Sequence, residues 1–155
     1  MACEIINVDG GVFVLWGRPT RVDLDRVVER VEQVASAAGS PIVFVTRVPQ
    51  SAPAPDGAVR THLNELTPHF ARLCSSYHAV LEGAGFMSAI KRAIMVGLFQ
   101  FGFRNGTFFV HESERSVTAK MDGIDRARAQ ALLDLAAAKG LLTAGPPGDS
   151  LLQRG

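Results

Sequence analysis

Apolar positions along this chain change period from segment to segment. Residues 3–8 (CEIINV) and 12–16 (VFVLW) are apolar and rich in β-branched and aromatic types, with Asp9-Gly10-Gly11 between them. Asp-Gly between two such runs predicts a β-hairpin, because glycine accepts the positive φ of a tight turn. Gly17-Arg18-Pro19 ends the second strand. The period then becomes helical. Leu24, Val27, Val28, Val31, Val34, Ala35 and Ala38 form one stripe, with Arg26, Glu29, Arg30 and Glu32 opposite. Thr20, with Asp23 three residues on, predicts a capping box, and Gly39 predicts the stop. Residues 41–48 (PIVFVTRV) lack a helical period and read as a strand buried on both faces.

Residues 49–57 (PQSAPAPDG) hold three prolines in their first seven positions and predict a stiff surface loop. Asp56 is placed to cap a second helix running to about Leu73, with a kink or restart at Thr67-Pro68, where proline lacks the donor. A strand at 77–82, a helix at 86–101, an Asn105-Gly106 turn and a strand at 107–111 (TFFVH) follow. Ser113 is placed to cap a short helix to Met121. A last Ala-rich helix spans 124–139, and Gly140 ends it. The order is a β-hairpin followed by βα units. It implies an α/β fold with one mixed sheet and helices packed on it. Residues 1–140 read as one domain and 141–155 as a flexible tail.

Composition narrows the function classes. The chain has 155 residues, the length of one domain, and sixteen Lys+Arg against fifteen Asp+Glu give a net charge of +1. No basic excess favours nucleic acid. Two cysteines, Cys3 and Cys74, without Cys-x-x-Cys or His-Cys clustering, imply neither disulfides nor zinc and fit a reducing cytoplasm. The apolar stretch 86–103 is broken by Ser88, Lys91, Arg92 and Gln100, which argues against a membrane span and membrane association.

With a strand hairpin and three βα crossovers, the layout resembles the STAS and SpoIIAA-like domains, the fold of bacterial anti-sigma-factor antagonists. The resemblance is carried by VFVLWGRPTRVDLDRVVERVE, by the strand PIVFVTRV and by AIKRAIMVG…GTFFVHESERSVTAKM, and covers roughly 3–121; the helix from Ile124 is extra. It implies a non-catalytic regulatory or scaffold domain that binds a protein partner. The Asp-Ser-[Ser/Thr]-Gly phosphorylation turn of such antagonists would fall in VPQSAPAPDG. There Asp56-Gly57 lacks the serines and Ser51 lies among prolines, so the phosphoswitch does not carry over.

Residues with chemistry collect at one end of the expected sheet. The Pro-rich loop leaves the carboxyl end of the central strand, where open α/β sheets bind ligands. Arg47, Ser51 and Asp56 are therefore expected to meet a partner; for Arg47 the alternative is an ion pair with a surface acid. The turn Gly83-Ala84-Gly85-Phe86-Met87-Ser88 follows a strand and opens a helix, so Gly83, Gly85 and Ser88, with Glu112 beyond the next strand, are a small-molecule or nucleotide-binding alternative. Glu82 before the turn and bulky Phe86-Met87 within it oppose that reading. The bland one is a sharp bend that glycine permits.

In the helix after that turn, Met95 and Phe99 continue the polar face begun by Ser88, Lys91 and Arg92. Met95, Phe99 and Phe103 thus need cover, either from the last helix or from a partner, including a second copy of the chain. His62, Glu65 and His69 share a helix side, but two turns separate the histidines, too far for one ion. His78 and His111 lie on strands expected to be neighbours, without a nucleophile motif. No catalytic residue, metal or cofactor is expected.

Overall fold

The computed structural model describes residues 3–82, 107–119 and 121–142. Two six-residue strands, β1 (Cys3–Val8) and β2 (Gly11–Trp16), pair antiparallel from Cys3↔Trp16 to Val8↔Gly11. Gly10 makes the turn at φ +74°, a conformation that costs an L side chain ~1–2 kcal/mol. β3 (Ile42–Val48), β4 (Cys74–Leu81) and β5 (Phe108–His111) then add in parallel, giving one mixed five-stranded sheet in the order β1-β2-β3-β4-β5. TFFVH thus joins the same sheet as YHAVLE, and the hairpin supplies one edge.

Helix α1 (Arg21–Ala38) joins β2 to β3, and α2 (Gly57–Leu73) joins β3 to β4. Right-handed crossovers that step in one direction must lie on one face of the sheet, and these two do. Their stripes pack with Val12, Val14, Trp16, Ile42, Phe44, Tyr77, Ala79 and Leu81. Phe44 and Tyr77 stack at 4.7 Å, and Phe108 meets Tyr77 edge-on at 5.2 Å, so one aromatic row crosses three parallel strands. Helix α3 (Gly123–Ala138) covers the other face, where Ala129, Leu132, Leu133 and Ala136 meet Phe13, Leu15, Val43, Val45 and Val80. β2 is buried along its whole length because both faces are covered.

Local chemistry sets the helix ends. Thr20 Oγ1 accepts from the Asp23 backbone N–H, and the Asp23 carboxylate accepts from the Thr20 N–H at 2.8 Å, completing the capping box. Gly39 closes α1 at φ +66°. Asp56 caps α2 by accepting from the Val59 N–H at 2.9 Å.

Four expectations need revision. Of the kink or restart expected at Thr67-Pro68, the restart does not occur: α2 runs as one helix through Pro68, and the Thr67 hydroxyl donates to the Leu63 carbonyl at 2.7 Å. β4 begins at Cys74, directly after α2, three residues earlier than the pattern implied. Ser113 makes no side-chain cap, and only a 3₁₀ turn, Glu114–Ser116, forms there instead of a helix to Met121. Leu141, assigned to the tail, is buried in the core beneath α3. The expected helix 86–101 and the Asn105-Gly106 turn lie outside the described residues. Among the described residues, no helix is long and apolar enough to cross a membrane.

Candidate functional site

β2, β3 and β4 end together at Trp16, Val48 and Leu81. The chain leaves β2 through Gly17-Arg18-Pro19 and β3 through the Pro-rich loop, and both connections lead into helix starts. Between them, on the α1–α2 face, lies a half-open apolar cleft lined by Trp16, Pro19, Val48, Pro53, Pro55, Val59, Leu63, Tyr77 and Leu81. Its cavity volume is about 50 Å³. That is well below the roughly 150 Å³ that admits benzene. The enclosed space therefore suits the end of an aliphatic side chain and does not enclose a nucleobase or a long acyl chain.

The loop that frames the cleft is held in place. The Ala52 N–H donates to the Pro49 carbonyl at 3.0 Å, closing a turn, and Ala52 is buried. Ser51 and Asp56 are exposed on this loop. In the sheet beneath, the hydroxyls of Thr46 and Tyr77 bond each other at 3.2 Å. Burial pushes the Tyr77 phenol well above its ordinary range, so it stays neutral. Arg18, Arg21 and Arg60, close in sequence to the lining residues Pro19, Leu24 and Val59, are exposed, and their side chains have no hydrogen-bond or ion-pair partner among the described residues.

Arg47 behaves differently. It lies on the α3 face, its side chain 13% exposed, and its guanidinium bonds the Glu82 carboxylate, approaches Glu114 at 3.7 Å and donates to the Leu141 carbonyl at 2.7 Å. The ion-pair alternative describes it: Arg47 ties the 3₁₀ turn and the residues after α3 to the sheet, and its charge is not offered to a partner at the cleft. Glu112 is exposed immediately after β5. Met95, Phe99, Phe103, Gly83, Gly85 and Ser88 lie outside the described residues.

A second polar group sits on the α3 face of β4 and β5. His78 Nδ1 lies 2.9 Å from His111 Nε2, His78 Nε2 lies 3.1 Å from Ser76 Oγ, and His111 Nδ1 lies 2.8 Å from Ser116 Oγ. The Ser116 hydroxyl donates to the Ser113 carbonyl at 3.0 Å. A carbonyl only accepts, so the chain has one consistent direction with both rings neutral: Ser76 O–H to His78, His78 Nδ1–H to His111, His111 Nδ1–H to Ser116. Burial, and then the neighbouring His111, push the His78 imidazole down to about 4. The arrangement stitches β4, β5 and the 3₁₀ turn together.

His62 and His69 are clasps between α1 and α2. His62 Nε2 lies 2.7 Å from Asp25 and its Nδ1 3.3 Å from Glu65, while His69 Nε2 lies 2.5 Å from Glu32. Among the described residues, no three His, Cys, Asp or Glu are placed to share a metal ion. Cys74 is buried, and burial raises its thiol far above the reactive range.

Sequence reasoning expected a partner or ligand at the carboxyl end of the sheet but did not foresee the apolar cleft there or its lining. The available signal was Trp16, the chain's single tryptophan, at a strand end beside Gly17-Arg18-Pro19. It also missed Ser76 and Ser116 as partners of the histidines. Comparison with protein-family models, curated proteins and solved structures finds no match.

Proposed function

We propose that this chain is a non-catalytic regulatory or scaffold domain that binds a protein partner at the carboxyl edge of its sheet, through the Pro-rich loop and the neighbouring helix starts. The observation that carries this reading is the cleft. Trp16, Pro53, Pro55 and Val59 surround an apolar space at the sheet end where open α/β folds bind. Its small volume and apolar lining suit one anchoring side chain, the usual centre of a protein interface. The hairpin followed by parallel βα units supports the STAS/SpoIIAA-like part of the reading, at the level of fold analogy.

Selection of displayed peptides tests it. The immobilised domain is expected to enrich peptides that the variant Val59→Phe, which fills the cleft, no longer holds while keeping its far-UV circular dichroism. Enrichment equal on both proteins counts against the cleft. The competing small-molecule reading is checked by thermal shift against a nucleotide and metabolite panel. A ligand at a hundredfold its Kd adds about 2.7 kcal/mol of stability, and the partner reading expects no such shift.

A further inference from the structure

The cleft has a charge as well as a shape. Arg18 stands between Gly17 and Pro19, both of which line it. Arg21 opens α1 three residues before the lining residue Leu24, and Arg60 follows Val59 in the first turn of α2. All three are exposed, and none has a side-chain partner among the described residues. Neighbouring charges are accounted for. Arg26 lies 3.8 Å from Asp23, Asp25 bonds His62, and Arg47 is held by Glu82 and Glu114. Among the described residues of the two helix starts, the exposed acids are Asp25, which bonds His62, and Asp56, whose carboxylate caps α2. Three exposed arginines thus outnumber these two aspartates, and the N-termini of α1 and α2 add partial positive charge at the same end.

We propose that the partner segment is acidic: one aliphatic side chain enters the cleft, and Asp or Glu residues flanking it meet Arg18, Arg21 and Arg60. This rests on the reading of the cleft given above. The guanidinium fork matches a carboxylate, so arginine rather than lysine at all three positions fits this pairing. Volume favours an acidic peptide over other anions with an apolar part. About 50 Å³ takes the end of a leucine or isoleucine side chain while the peptide backbone stays outside. The acyl chain of a lipid and the base of a nucleotide both exceed it.

The test uses the intrinsic fluorescence of Trp16, the chain's single tryptophan and part of the cleft wall. Four probes are titrated: a peptide with a central leucine flanked by two glutamates on each side, the same peptide with glutamines, the same with lysines, and octanoate. The glutamate peptide is expected to bind about tenfold more tightly than the glutamine peptide, the sum of three modest exposed ion pairs. The lysine peptide is expected to be weakest. Raising the salt should shrink the glutamate advantage. The triple variant Arg18→Gln, Arg21→Gln, Arg60→Gln should abolish that advantage, so that the glutamate and glutamine peptides bind it alike. Equal affinity of the glutamate and glutamine peptides overturns the acidic partner while leaving the cleft as a binding site. Tighter binding of octanoate than of any peptide overturns it in favour of an anionic amphiphile. Failure of all four probes to change Trp16 emission, with cleft amide resonances also unmoved, overturns the cleft reading itself.

Discussion

His78 shows how a single buried residue can make a domain acid-sensitive. Its ring is buried beside Phe109 and His111, whose ring centroids lie 4.9 and 5.1 Å away. The unfolded chain takes up a proton near pH 6.5, the folded one only near pH 4. Between those values the unfolded state binds more protons, so stability falls as pH drops. The contribution is intact above about pH 6.5 and is lost progressively to about pH 4, at most about 3 kcal/mol. Urea denaturation of the wild type at pH 7 and pH 4.5 should show this loss, and His78→Gln should flatten it. An equal pH dependence in the variant would mean that other groups carry the acid limb. The proximity of His78 and His111 was legible because both strands could be read. The serines were not, since Ser76 lies in a Cys-Ser-Ser stretch that does not read as strand, and Ser116 reaches His111 only because residues 114–116 form a 3₁₀ turn.

At the scale of elements, the readable boundaries are those fixed by short-range chemistry. Asp9-Gly10 turns the hairpin, Thr20 and Asp23 start α1, Gly39 ends it and Asp56 starts α2, all within a few residues of chain. Thr20→Ala removes the side-chain acceptor of the Asp23 N–H and should destabilise the domain by about 1 kcal/mol, measured by chemical denaturation with an unchanged m-value. Thr20→Ser should retain most of that stability. At Pro68 a restart was avoided by tertiary packing: Leu63, Thr67 and Phe70 are buried on both sides of it and hold α2 as one helix. The cleft itself was not legible, because Trp16, Val48 and Leu81 are far apart in sequence and converge only through parallel pairing in register.

For the molecule as a whole, the C-terminal helix is structural. Its residues Leu132 and Ala129 are fully buried against the second face of the sheet, and Arg47 holds the Leu141 carbonyl just beyond it. Leu132→Ala should cost about 2–5 kcal/mol in a thermal or urea melt. A loss under about 0.5 kcal/mol, the scale of an ordinary surface substitution, would mean that α3 does not seal that face. With both faces of the central strands covered, the carboxyl edge remains the place where strand ends, prolines and helix starts surround an apolar space. Amide shift mapping of the ¹⁵N-labelled domain with a peptide enriched by the selection tests that claim most directly. The account predicts that the largest changes cluster at Trp16, Val48, Val59, Leu63 and Leu81. Changes confined to β1, β5 or the exposed side of α3, with these five amides unmoved, would contradict it.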